Sequence, residues 1–280
     1  MVHIGNQLEL TGIILTGGRS TRFGFNKLEV KIGKVPLFID QIFKLGFFCR
    51  EILLITSSRN RHFILKELEK IEYYRKFYRS VDFNIPEISV MEDDEIEAEK
   101  YDIKETRVSR GPIIGLYTGL KNAENLYSIV LAFDMPFISE KALNLLISTL
   151  RDRNGKHQQS GIADTGKEPY DAVIIKTAKG YEVLCGLYSK KCVNAFKENI
   201  ITGNFKISDA FNILNIKIIS ESLLLKKGID DLNFFNINNT HDYYKFTDIW
   251  NSSFSGSDFT EKWKKFFTGD HLFFSDSVLN

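Results

Sequence analysis

The sequence predicts an α/β fold: a Rossmann-like three-layer sandwich, with a mostly parallel sheet and helices on both faces. Three observations point to it. Short apolar runs alternate with amphipathic stretches through the first half of the chain, which is the rhythm of right-handed βαβ units. Runs such as Ile13–Leu15, Ile52–Ile55 and Ile129–Phe133 are continuous, as suits strands buried on both faces. The runs end in glycine, hydroxyl or acidic residues, and ligands of such sheets bind outside the carboxyl ends of the strands.

The elements follow in order. Ile13–Leu15 is the first strand, and a glycine-rich loop leads from it to Lys27. Leu28–Ile32 alternates and predicts a short strand with a turn at Gly33-Lys34. Pro36 opens a helix over Leu37–Phe48 with an apolar stripe of Leu37, Ile39, Ile42, Phe43 and Leu45. Glu51–Ser58 is a second buried strand ending in hydroxyls, and Arg61–Phe77 a charged amphipathic helix. A third strand, Ile88–Met91, ends in Glu92-Asp93-Asp94. The charged insertion at about 94–108, centred on Glu95–Arg107, lacks apolar periodicity. It is expected to be solvated, poorly ordered without ligand and nicked first by protease.

Gly111–Leu116 starts a helix to about Ala123, and Ser128–Phe133 is the most apolar strand, closed by Asp134-Met135-Pro136. Ser139–Ala142 caps a helix to about Leu150. After a polar connection, Arg151–Lys167, come a strand pair, Asp171–Ile175 with Glu182–Tyr188, and helices at Lys191–Ile200 and Ser208–Leu214. Ile216–Ile219 and Phe234–Thr240 are strand candidates, and a last helix runs to about Trp250. Residues 1–250 read as one domain. Residues 251–280 read as a C-terminal extension of unknown role, with an amphipathic piece near Trp263, Phe266 and Phe267.

Composition excludes several classes. Lys and Arg total 37 against 36 Asp and Glu, so no global field argues for nucleic acid or an anionic membrane. The apolar fraction, 43%, is enough for a sizeable core. No apolar run is long enough to span a bilayer, and the first residues lack the layout of a signal peptide. Cys49, Cys185 and Cys192 form no C-x-x-C, which indicates neither zinc nor a disulfide framework. Buried reduced thiols in a cytoplasmic protein are the expectation. The five histidines form no metal-spaced pair, and no Ser/His/Asp order suggests a hydrolase.

The chemistry concentrates in Leu15-Thr16-Gly17-Gly18-Arg19-Ser20-Thr21-Arg22-Phe23-Gly24-Phe25-Asn26-Lys27. Successive N–H groups in a glycine-rich loop form a nest for phosphate, and Arg22 and Lys27 add full charge to it. The spacing fits neither the P-loop nor the dinucleotide fingerprint, and an ordinary glycine-rich turn would also explain it. Asp134, at the end of a buried strand, suits Mg²⁺, which takes one or two carboxylates and completes its shell with phosphate and water. The plain alternative is a turn-capping aspartate. Asn236 and Asn238 could bind substrate or form an Asx turn.

The loop resembles the L-A-G-G-x-S-x-R-M-G-x-x-K signature of the molybdenum cofactor guanylyltransferase (MobA-like) family of nucleotidyltransferases, with Thr16 for Ala and Phe23 for Met. Asp134-Met135-Pro136-Phe137-Ile138 resembles its D-x-P-[FY]-[IL] motif, Val90–Asp93 its V-x-x-D, and Gly111–Leu116 its G-P-L-[AG]-G-[IL]. Asn236–Asp242 resembles N-[IV]-N-T-P-E-[DE], with an extra Asn239 and His241 in place of proline. The family's Glu-Pro-Leu, which faces the acceptor, corresponds to Glu182-Val183-Leu184, without the proline. The likeness covers about Thr11 to Tyr244.

The resemblance implies a nucleotidyltransferase-type fold, Mg²⁺ as cofactor, GTP and molybdopterin as substrates, and weak association with other cofactor-biosynthesis proteins. It implies nucleotide binding by Leu15, Thr16, Gly17, Gly18, Lys27, Thr56, Asp93 and Asp134, catalysis by Arg22, Lys27 and Asp134, metal binding by Asp134, and acceptor contacts from Asn236 and Asn238. The backbone N–H groups of Thr16 to Gly18 would hold the triphosphate. A phosphate on the acceptor would attack the α-phosphorus, and no general base is required because that phosphate is already ionised. The side chains of Lys27 and Asp134 are expected to face solvent. A relative acting on CTP or another small phosphorylated acceptor, and a nucleotide-binding protein without turnover, are the alternatives.

Overall fold

The computed structural model describes residues 9–17, 26–78, 85–93, 111–154 and 169–252, with Trp263 and Phe267. The insertion at about 94–108, the polar connection after about 154, and most of the extension lie outside the described residues. All six residues of the first strand, β1 (Leu10–Leu15), are buried, because it has a strand on each side and helices on each face. It pairs in parallel with β4 (Glu51–Thr56) and β6 (Tyr127–Ala132). β5 (Glu87–Glu92) continues the parallel sheet beyond β4.

On the other side of β6 stand β8 (Gly180–Ser189), β7 (Ala172–Thr177) and β9 (Ile216–Ser220), giving the order β5-β4-β1-β6-β8-β7-β9. β8 runs antiparallel to both its neighbours, while β9 is parallel to β7. β2 (Lys31–Ile32) and β3 (Val35–Pro36) form a separate small hairpin.

The alternation of side chains along the strands divides the core in two. Leu10 and Ile14 join one apolar cluster with α1 (Leu37–Leu45), α5 (Glu140–Asn154) and α8 (Thr240–Ser252). Ile13 and Leu15 join the other with α4 (Ile113–Asn122) and α6 (Cys192–Ile201). The three cysteines are buried and free, and burial pushes the Cys192 thiol up to about 12. Among the described residues no helix is long and apolar enough to cross a membrane.

The structure differs from expectation in identifiable places. Leu28, Val30 and Ile32 are all buried, as their alternation implies. The backbone at Lys27–Glu29 is nevertheless a 3₁₀ turn, capped by the Asn26 side chain, which accepts from Leu28 N at 3.2 Å. The helix expected over Arg61–Phe77 is broken into α2 (Ser58–Leu68), α3 (Ile71–Arg75) and a 3₁₀ turn, Lys76–Tyr78. The break lets buried Glu67 accept from the Tyr74 hydroxyl and pair with Lys70 at 2.7 Å.

Ile207–Ile213 is 3₁₀ rather than α-helical, and a short helix that the pattern did not reveal, α7 (Glu221–Lys226), follows β9. Phe234–Thr240 is not a strand. A 3₁₀ turn, Asp231–Phe234, leads into a segment that crosses the sheet's carboxyl end, where Ile237 N donates to Asp134 O at 3.1 Å.

One close helix–strand approach is glycine-mediated. A Cβ on Gly119 would lie 2.7 Å from Ile13 Cγ2, and one on Gly115 3.3 Å from Leu15 Cδ2. Alanine is the better helix former by about 1 kcal/mol, but overpacking costs about 1–3 kcal/mol. Ile13 sits in an interior strand, is fully buried and has little room to move. Gly119→Ala should therefore lower the thermal midpoint, by about 2–4 °C for each kcal/mol lost net. An unchanged or raised midpoint in a thermal melt would show that α4 does not need this close contact.

Candidate active site

Sheet register brings the candidate residues to one edge. Leu15 is opposite Ile55 on one side and Ala132 on the other, and Thr56 is opposite Glu92. The residues that follow these pairs therefore emerge together at the carboxyl end: Asp93, Thr56, Gly17 and Asp134 across β5, β4, β1 and β6. Backbone bonds continue the ladder past the strands, from Thr16 N to Ile55 O at 2.8 Å, Asp93 N to Thr56 O at 2.9 Å and Phe133 N to Leu15 O at 3.4 Å.

Thr16 is 1% exposed and spends both donors on Ile55 O, its N–H at 2.8 Å and its hydroxyl at 3.0 Å. It ends the strand and has no N–H left for phosphate, so the expected cradle begins one residue later. Leu15 and Thr56 are likewise buried. Gly17 is exposed, and a Cβ on it would lie 3.5 Å from Asp93 Oδ2 and 4.0 Å from Ser57 N. These are ordinary contact distances, and they place Gly17 between the Asp93 carboxylate and the start of α2. Gly18 and Arg22 lie outside the described residues.

Lys27 and Asp134 meet directly, Nζ on Oδ2. The expectation that both side chains face solvent is corrected here: they are 14% and 13% exposed. Lys27 is held there from both sides. Its neighbour Leu28 is 2% exposed and anchors the turn, while Nζ lies over the Phe133 ring, 5.6 Å from its centroid. A charge that loses its partner at such a site bears its own desolvation, so the pair explains why each can be this buried.

The acceptor-side candidates are more loosely built. Asn236 Nδ2 donates to Phe234 O at 3.1 Å, and Asn238 is exposed. Asn239, the extra residue of this motif, caps α8. Its Oδ1 accepts from Asp242 N at 3.0 Å, and Asp242 Oδ2 accepts in return from Asn238 N at 2.8 Å and Asn239 N at 3.1 Å, a reciprocal capping box. The antiparallel register places Cys185 opposite Leu131, so Glu182–Leu184 run along the carboxyl end of β6. Glu182 accepts from Thr177 Oγ1 at 3.1 Å. Burial raises its carboxyl above the usual range, and Asp231 pushes the same way.

Sequence reasoning missed the polar residues behind Asp134. Gln41 Nε2 donates to Met135 O at 3.0 Å and Lys44 Nζ to Pro136 O at 2.6 Å. The signal was available as an acid and a base four apart, Asp40 and Lys44, inside a helix otherwise rich in apolar residues. Among the described residues no three His, Cys, Asp or Glu converge as a metal cage. A hard cation here would depend on the oxygens of Asp134 and of a bound phosphate, which is how Mg²⁺ is commonly held.

A family model described as "MobA-like NTP transferase domain" matches residues 12–211. A probable molybdenum cofactor guanylyltransferase of Natranaerobius thermophilus is 26% identical over 233 residues, 83% of this chain and 92% of the relative. Among solved structures, molybdopterin-guanine dinucleotide biosynthesis protein A from Archaeoglobus fulgidus superposes with a TM-score of 0.56 at 21% identity, covering 86% of this chain and 98% of that one. A 4-diphosphocytidyl-2C-methyl-D-erythritol synthase from Anaerococcus prevotii gives 0.53 at 15%, covering 85% and 96%. These two likenesses concern the fold. With the family match spanning most of the chain and the strand-end residues of its motifs gathered at one sheet edge, this chain belongs to the MobA-like family of nucleotidyltransferases.

Proposed function

We propose that this nucleotidyltransferase transfers GMP from GTP to molybdopterin with Mg²⁺, forming the guanine dinucleotide of the cofactor and releasing pyrophosphate. The Lys27–Asp134 pair beside Gly17 is the observation that carries this reading. It sets one cation and one anion at the sheet edge where a triphosphate and a metal would need partners of opposite charge. The name borne by the relative in Natranaerobius thermophilus supports the choice of GTP and of a molybdenum cofactor acceptor.

A phosphate oxygen of the acceptor attacks the α-phosphorus. The new P–O bond forms as the α–β bridge breaks, and pyrophosphate leaves with the electron pair. Catalysis of such transfers is positioning and charge stabilisation. Lys27 turns from Asp134 to the phosphates and neutralises developing charge. Asp134, thereby released, offers its carboxylate as the metal ligand. Gly17 and the residues after it supply N–H groups to the phosphates, and Arg22 adds charge. Bound Mg²⁺ would supply charge neutralisation on the phosphates. Asn236, Asn238 and the strand end near Glu182 face the acceptor.

Pyrophosphate release measured with each of four nucleotides, with and without molybdopterin, tests the reading. Release with GTP that depends on the acceptor is expected, and dependence on CTP or on a different acceptor would replace it. Lys27→Ala should lower turnover by about 10²-fold or more. It should also lower stability by about 1–2 kcal/mol, because the Asp134 carboxylate is left unpaired, and Asp134→Asn in the same chain should restore much of that stability. Near-normal turnover in Lys27→Ala would remove the phosphate role.

Asp134→Asn alone keeps side-chain size and removes the charge. Titrating Mg²⁺ with GTP present should give a much weaker metal dependence and a sharp loss of activity. Equal Mg²⁺ dependence and equal turnover in the two proteins would take Asp134 out of the site.

Glu182 gives a pH signature. Its carboxyl is raised in the folded state, so folding disfavours its charge. The penalty is absent below the unfolded value of about 4.3 and complete once pH exceeds the folded value. Glu182→Gln should therefore raise the thermal midpoint near pH 7 and leave it unchanged below about pH 4. The same difference at both ends would mean that desolvation of Glu182 is not its cause.

A further inference from the structure

A buried polar cluster stands behind the Asp134 loop. Every residue of α1 is buried, and Asp40, Gln41 and Lys44 are 0%, 0% and 1% exposed. Lys44 Nζ lies 2.9 Å from Asp40 Oδ2 and donates to Pro136 O at 2.6 Å, while Gln41 Nε2 donates to Met135 O at 3.0 Å. With Ile237 N on Asp134 O at 3.1 Å, the three successive carbonyls of Asp134-Met135-Pro136 each receive a donor. Asp40 Oδ1 accepts from the Tyr78 hydroxyl at 3.0 Å and from Trp263 Nε1 at 2.6 Å. Trp263 is 2% exposed, stacks on Phe267 with centroids 4.8 Å apart and meets Tyr78 edge-on at 4.9 Å. It lies outside the 12–211 span of the family match.

Such a cluster is an expensive way to fill a core. Replacing a buried ion pair with apolar residues of similar volume is often neutral or stabilising. Here the donors of Gln41 and Lys44 end on carbonyls of the loop that carries Asp134. A site holds its ligating groups to about 0.5 Å only when the groups behind them are fixed. We infer that Gln41 and Lys44 are positioning residues for the Asp134 carboxylate, and that Trp263, acting through Asp40, completes the same device from the C-terminal extension. The inference rests on the reading of Asp134 as the metal ligand.

Hydrogen exchange over residues 133–138 of the full-length protein tests the holding, and calorimetric titration of Mn²⁺ with GTP tests its consequence. The variants are Gln41→Met, Trp263→Phe and the charge-balanced Asp40→Asn/Lys44→Met, which leaves no buried charge alone. Exchange at 133–138 should quicken, while exchange in β1 and β4 stays unchanged. Mn²⁺–GTP affinity should fall by about 10-fold or more, the range seen when groups behind metal ligands are lost.

Unchanged exchange overturns the inference. So does faster exchange with undiminished affinity. If the double variant fails to fold, Gln41→Met and Trp263→Phe carry both measurements. An Asp134→Asn control that binds Mn²⁺–GTP normally would sink the metal reading itself, and exchange would then still decide whether these residues hold the loop.

Discussion

The contact between Lys27 and Asp134 is the constraint from which the site follows. It joins the turn after the glycine loop to the end of the neighbouring strand, across 107 positions of sequence. Both charges are largely withdrawn from water, so each is costly there without an opposite charge close by. A triphosphate and a divalent metal would replace one internal pair with two external ones. Lysine would take phosphate and aspartate would take the metal, so each buried charge would keep an opposite charge beside it. On the proposed function, the ligand-free protein thus keeps both groups in place by having each stand in for the other's ligand.

What was legible in the sequence was what short-range patterns determine. Ile13–Leu15, Ile52–Ile55 and Ile129–Phe133 are strands because nothing polar interrupts them. Their ends then identify Gly17, Thr56 and Asp134 as edge residues without reference to any partner. The exposure of Lys27 was not legible, because it depends on a carboxylate far away in sequence. Nor was the fate of Phe234–Thr240. Its apolar residues are indeed buried at Phe234 and Ile237, but the segment crosses the sheet's end instead of joining its edge. The burial pattern was right and the backbone conformation was wrong, as also happened at Leu28.

The polar residues of α1 illustrate a second limit. An apolar stripe of Leu37, Ile39, Ile42, Phe43 and Leu45 predicts a helix with a wet face, yet this helix has none. Once all its faces are covered, Asp40, Gln41 and Lys44 must each find partners inside. They find them in the Asp134 loop and in Trp263, both remote in sequence. Periodicity reports which residues are apolar and says nothing about where buried polar ones are aimed.

The two halves of the edge are built by different means, and this explains why the extra Asn239 is accommodated where it falls. On the nucleotide side, successive strands are locked by a backbone ladder that continues through Thr16, Asp93 and Phe133. An inserted residue there would break register on both neighbours and turn every following side chain to the opposite face. On the acceptor side, the chain crosses the edge in segments held by isolated bonds, such as Ile237 N to Asp134 O and the Asn239–Asp242 box. An extra residue is absorbed there, and Asn239 is taken up as the cap of α8. The missing proline before Leu184 falls instead within β8, an interior strand paired with β6 and β7. On the proposed function, the segment around Asn236–Asn239 can vary on the acceptor's side with little consequence for the fold, while the strand ends that would handle the triphosphate stay fixed by the sheet.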